Sequence, residues 1–419
     1  MSQKHILNNN LLQNILVILS FILVVFLLND DFIKYFIWKP SELFFDIKEP
    51  VKWLKCNSLG FDVFDNIKPC HNQPIAYGPL FLILPYSENL EKFYTFYLPY
   101  FLIFFSIYFI NNIIAPKNII EYFLFFLCIF NPSTMFSFES ANLDIVVFVS
   151  LLFIIKNRIY LINWILYFFL SFVKIYPIVL LINFFLENNK RKLNKLLVYI
   201  ICFGLLSSLY LFLNIDHYIK AMSASGDGKA GYHYLYSLNS LAKIIKYSIE
   251  FNYIFLLIAV YSSYIYLTIK IFAFFKKKKI FIKKNFFFDE SLKLFLISGY
   301  ISCFLFFLTS NYLYKEIFLI SLIPYFLNRN SFTNNINIYA IIINLIIVRF
   351  LFLFPYSYFN IHDGINYINE QRVFSDIFIT LITIKALFDF ILMSIVGAFL
   401  FFETKEVTRY YLDKFKSGL

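Results

Sequence analysis

Apolar residues run in long blocks along almost the whole chain, broken by short polar stretches. A helix needs about 20 such residues to cross the bilayer core, so blocks of about eighteen or more read as membrane spans. They fall near 11–28, 93–111, 119–137, 196–214, 252–275, 292–309, 337–354 and 376–402, with shorter ones at 145–155 and 315–327. The apolar piece at 75–86 is too short to cross, and the block at 119–137 is interrupted by NPS at 131–133. Between the basic turns KNR (156–158) and KRKLNK (190–195) there is too little apolar sequence for two full spans of about 20 residues. Two short helices broken at Lys174–Pro177 fit that length. Broken helices persist at membrane depth only where protein or a water-filled cavity surrounds them, so Lys174 is expected to face a cavity. The pattern predicts an all-α, polytopic membrane protein with about twelve membrane elements, short and broken ones included, in one domain over residues 1–419.

Three polar stretches are much longer than ordinary connections: 29–92, 215–251 (with SASGDGKAGYHY) and 355–375, which holds His362, Asp363 and Arg372. The clusters KNR, KRKLNK and KKKKIFIKK (276–284) alternate with them. The positive-inside rule places the clusters in the cytoplasm, with both termini, and the three long loops on the other side. The first span lacks a small-residue cleavage site and reads as a retained anchor. The cell membrane is the expected location.

Composition supports the membrane class: 60% of residues are hydrophobic and 15% charged, against about 25% charged in soluble domains. The 58 Phe and 32 Tyr accompany abundant Ile, Asn and Lys and read as lipid-facing and core filler. The net charge of +11 sits in short clusters between spans, which argues against nucleic acid and for membrane lipid headgroups. No GxxxxGK[ST] occurs, which argues against an ATP-driven pump. Cys128, Cys202 and Cys303 lie inside apolar blocks, whereas Cys56 and Cys70 share one polar loop and could pair if it is extracytoplasmic. None of the five has metal-ligand spacing, and neither metal nor cofactor is expected.

Ionisable residues at or within a membrane cost free energy and are functional candidates. Asp46, in FFDIKEPVKW (44–53), falls on a short amphipathic stretch after the first span, although most acids of that loop are expected to be solvated. Glu139, Asn142 and Asp144 make up the polar knot ESANLD (139–144), where helix capping competes with a functional role. Lys174 stands deep in apolar sequence, Lys315 in NYLYKEIF could snorkel to the interface, and His233 and His362 are single histidines on loops.

The run from Asp46 through GFDVF (60–64) to IAYGPLFLILP (75–85), which includes Tyr77, resembles the first outer loop of glycosyltransferase family 87, mannosyltransferase-like membrane enzymes of the GT-C class. In that family an Asp opens an amphipathic helix, followed by a Gly-x-x-x-Tyr element and a Tyr-Pro-Pro-Leu segment; this chain has Phe64 for the Tyr and Gly78 for the first Pro. ESANLD with FVKIYPIVLL (172–181) looks like the next signature, a polar Asn/Gln-x-Asp group before a helix pair ending in Lys-x-x-Pro. NYLYKEIFLISLIP (311–324) is similar to a later element, with Lys315 in place of an Arg.

The resemblance implies an inverting transfer of a mannose-like hexose from a polyprenyl-phosphate sugar to a lipid-linked or glycan acceptor on the extracytoplasmic face. Asp46 would be the general base. Lys174, Lys315 and Arg372 would stabilise the phosphate, with Glu139, Asn142, Asp144, Tyr77 and His233 as further substrate-binding candidates. A transporter or flippase, which broken helices and a buried Lys would also suit, is the main rival, and an O-antigen ligase or polymerase another.

Overall fold

The computed structural model describes residues 2–29, 43–65, 70, 75, 77–157, 159–174, 179, 190–224, 237–248, 252–278, 280–281, 290–307, 313–330, 336–362, 366–368, 371–373 and 375–416. The helices in order are α1 (Ser2–Asn29), α2 (Phe45–Ser58), α3 (Glu88–Ile114, with a π-helical turn inside), α4 (Ile119–Phe130), α5 (Pro132–Ser140), α6 (Leu143–Lys156), α7 (Tyr160–Val173) and α8 (Lys190–Leu213). Then follow α9 (Ile215–Ala224), α10 (Leu238–Ser248), α11 (Tyr253–Lys277), α12 (Glu290–Phe307), α13 (Ile323–Asn330), α14 (Ile336–His362) and α15 (Asp376–Lys416). A 3-10 stretch, Leu313–Leu322, precedes α13, and a small antiparallel hairpin, β1 (Asn366–Ile368) with β2 (Gln371–Val373), lies between α14 and α15.

Six described helices are long and apolar enough to cross a membrane: α1 over Leu11–Asn29, then α3, α11, α12, α14 and α15. The pair α4–α5, bent by 44°, makes a seventh if it is one broken span, and α7 and α8 carry shorter apolar stretches. The chain is thus a helical protein with the spans of a multi-pass membrane protein. Exposure follows the same logic. On α1, Val17, Val24 and Leu28 are buried, while Leu19, Ile22 and Phe26 face outward where lipid tails would lie.

Several segments differ from the hydropathy reading. The block at 315–327 is the 3-10 stretch plus α13, not one α-helical span. Its residues are apolar nearly all round, so periodicity cannot separate the two helix types. The loop expected at 355–375 is shorter, because α14 continues through Pro355 to His362. The loop expected at 215–251 carries α9 and the strongly amphipathic α10.

Asparagines organise the broken region. Asn118 caps α4, its side chain accepting from the Glu121 N–H. Asn131 caps α5, accepting from Thr134 N–H at 3.1 Å, with Pro132 at the first helical position where no N–H is needed. Ala141 ends α5 in the left-handed region (φ 48°), and Asn142 immediately caps α6, accepting from Asp144 N–H at 3.0 Å. The knot ESANLD is therefore one helix end and the next helix start back to back.

Candidate functional site

α2 places Asp46 in its first turn, where the helix N-terminus favours a carboxylate. Ile47, Pro50, Val51 and Leu54 form its buried face, at the spacing of one helix side. Pro50 has no N–H to give the Asp46 carbonyl four residues back, so the first turn lacks that hydrogen bond. The helix is set by Phe44, a bulky residue at φ 62°, in the left-handed region it rarely adopts. Its N–H donates to the Glu139 carbonyl (2.9 Å) and its ring packs edge-on against Tyr100, so the surrounding structure holds the strain.

Lys174 arrives from the other side. α7 stops at Val173 and Lys174 is extended. The last carbonyls of a helix need outside donors. Here Tyr218 of α9 donates its hydroxyl to the Phe172 carbonyl (2.7 Å), and Gly78 N–H donates to the Val173 carbonyl (3.1 Å). A Cβ at position 78 would lie 1.9 Å from the Phe172 oxygen, so only glycine permits this docking. The same docking brings Tyr77 beside the helix end, its ring held edge-on by Trp53 of α2.

These elements converge on one cluster. Asn142 Nδ2 donates to Asp46 Oδ2 (3.0 Å), and Lys174 Nζ donates to Asn142 Oδ1 (3.0 Å). Lys174 also pairs with Asp144 (2.9 Å) and lies 5.3 Å from the centre of the Tyr77 ring. Lys315, on the 3-10 stretch, is close enough for the charges of Asp144 and Lys174 to act on it. Loss of solvent raises the Asp46 pKa above its ordinary value, and the Asn142 hydrogen bond and the Lys174 charge pull it partly back. Burial, with the charges of Asp144 and Asp46, holds the Tyr77 hydroxyl well above its usual range, so it stays protonated. An apolar cavity of about 200 Å³ adjoins the cluster, lined by Ile47, Val51, Leu54, Val146 and Leu170 and reaching Lys174.

Of the residues singled out in the sequence, Asp46, Asn142, Asp144, Lys174 and Tyr77 come together from segments far apart in the chain, and Lys315 lies near enough to feel the charges of Asp144 and Lys174. Glu139, fully buried, enters through its backbone carbonyl. Arg372 lies on β2 opposite Tyr367, its side chain outside the described residues, as are His233 and Asp363. His362 is the last residue of α14 rather than a loop residue. Cys56 and Cys70 are disulfide-bonded, tying the end of α2 to the segment that leads to Tyr77.

Sequence reasoning missed the structural roles of Gly78, Tyr218 and Phe44, each of which acts on a backbone carbonyl of another segment. It also missed a buried charge ring of Glu316, Arg349, Lys385 and Asp389. Arg349 and Lys385 stand alone in apolar runs, a signal that could have flagged them. The chain matches no protein-family model, no curated protein and no solved structure.

Proposed function

We propose that the chain is a GT-C-type membrane glycosyltransferase that moves a mannose-like hexose from a polyprenyl-phosphate donor to a lipid-linked or glycan acceptor. The observation that carries this reading is the joining of Asp46, through Asn142, to the Lys174–Asp144 pair at the mouth of an apolar cavity. A carboxylate of raised pKa is a stronger base than a solvated one. In the proposed step, the acceptor oxygen bonds to the anomeric carbon while its proton passes to Asp46. The anomeric carbon–phosphate oxygen bond breaks on the opposite side, its electron pair leaves with the phosphate, and the anomeric configuration inverts.

The donor phosphodiester carries one negative charge and the released phosphate monoester between about 1.5 and 2. Lys174 and Lys315 supply cations where that charge grows. The cavity is smaller than the roughly 300–1,000 Å³ of a whole ligand site. It suits the head-proximal part of a prenyl chain, with the remainder in the membrane. Membrane lipids are the only other partner this scheme needs.

The reading places the cluster on the extracytoplasmic face of the cell membrane, both termini in the cytoplasm, and about twelve membrane elements in the bilayer. The Cys56–Cys70 disulfide supports this orientation, because disulfides persist in oxidising compartments. A transporter or flippase is the second reading, favoured by the buried ring around Glu316. In detergent, with no vesicle, a transferase releases polyprenyl phosphate from a labelled polyprenyl-phosphate hexose when acceptor is present, and a transporter does not. Asp46→Asn keeps the side chain's shape and removes the base, so release should fall by roughly 10²–10⁴-fold at normal protein levels. An Asp46→Asn protein that retains most of its activity rejects the assignment.

A further inference from the structure

The charge ring closes on itself inside the bundle. Arg349 Nη2 meets Glu316 Oε2 at 2.6 Å and its Nε meets Asp389 Oδ1 at 2.7 Å. Lys385 Nζ bridges the same two carboxylates, at 3.1 Å from Glu316 and 2.6 Å from Asp389. Ser133 of α5 donates its hydroxyl to Glu316 at 2.8 Å. None of the four charged residues is more than 4% exposed. Buried ion pairs are often no more stabilising than apolar residues of the same volume, so stability alone is a weak reason for one here.

The ring's position suggests another reason. Glu316 follows Lys315 on a 3-10 stretch of ten residues, whereas runs beyond about 3–4 residues are uncommon because the hydrogen-bond geometry is poor. Such a run needs outside restraint. Successive 3-10 side chains diverge by about 120°, so with Glu316 in the ring Lys315 leaves the stretch on another side, where the charges of Asp144 and Lys174 act on it. Relaxation to an α-helix would rotate each residue by roughly 20° and shorten the stretch from about 20 Å to about 15 Å. The Lys315 ammonium would then leave its place. Phe318 against Phe148 of α6 (6.0 Å between ring centres) and Ser133 on Glu316 fix the stretch to the two helices that flank the Asn142 knot.

We infer that Glu316, clamped by Arg349, Lys385 and Ser133, is a positioning residue that holds the 3-10 stretch wound so that Lys315 points at the phosphate site. The inference rests on the reading of the Asp46–Lys174 cluster as a lipid-phosphate site. None of the ring residues touches the substrate; they act through Lys315.

The test uses the full chain in detergent, with farnesyl phosphate as probe and farnesol as its phosphate-free control. The dissociation constant of farnesol divided by that of farnesyl phosphate reports phosphate recognition alone. Ser133→Ala should lower that ratio about threefold and Glu316→Gln about tenfold, in the range seen when a coupled network is perturbed, with farnesol binding unchanged. In a Lys315→Ala background neither change should lower it further, since the group they aim is gone. Losses that add to that of Lys315→Ala, or a lowered Tm with the ratio intact, overturn the inference and leave the ring a purely structural device. If Lys174→Ala and Lys315→Ala themselves leave the ratio unchanged, the phosphate site itself is rejected and the inference falls with it, a pattern distinct from the first. Should Glu316→Gln fail to accumulate, Ser133→Ala, which removes one hydrogen bond and no charge, decides alone.

Discussion

Asp46 is held between opposing influences, and their signs make its role measurable. Loss of solvent and the Asp144 charge raise its pKa; the Asn142 hydrogen bond and the Lys174 charge lower it. A base works only when ionised, so transfer should fall as pH drops through the Asp46 pKa, along a limb whose midpoint lies above 3.8. Asp144→Asn removes a raising charge and should move the midpoint down. Asn142→Ala removes a lowering hydrogen bond and should move it up. A pH–rate profile of the two variants checks both directions, and a midpoint that ignores them means another group titrates. Gly78 offers a separate test without any charge. Gly78→Ala puts a methyl 1.9 Å from the Phe172 oxygen, so the segment must lift away, and both transfer and Tm should fall.

The elements show which features could be read from local pattern. The end of α7 at Lys174, the break at Asn131 and the knot at Asn142 were legible because breaks in apolar runs and cap residues are signals of a few residues. The ring was not, since Ser133, Glu316, Arg349 and Asp389 meet across the bundle and a single sequence holds no trace of that pairing. Nor was the capping of α7 by Tyr218 and Gly78, which depends on two other segments folding over it. The Cys56–Cys70 link gives the element-scale prediction. It closes a loop of 14 residues, and cross-links of that size stabilise by about 3 kcal/mol. Dithiothreitol should therefore lower the Tm of the native chain and leave that of a Cys56→Ser, Cys70→Ser protein unchanged. Equal responses would mean the bond contributes little to holding α2.

At the scale of the whole molecule, every part of the proposed chemistry depends on which side of the membrane the cluster faces. Basic turns and long polar stretches alternate along the chain, and the disulfide lies in one of the long stretches. By the positive-inside rule, Lys- and Arg-rich turns stay in the cytoplasm, and in the proposed topology the segment between α1 and α3 therefore lies on the opposite face. That segment carries Asp46 on α2, and the docking of Gly78 on α7 and of Phe44 on the Glu139 carbonyl fixes the other site residues to the same end of the bundle. One measurement of sidedness thus places all of them together. In a cysteine-free protein, a cysteine at position 62 should react with a membrane-impermeant maleimide from outside intact cells, and one at position 278, in the basic turn after α11, only after the cells are opened. The reverse labelling would put Asp46 in the cytoplasm, away from the face where the proposed acceptor lies, and would favour the transporter reading over the transferase.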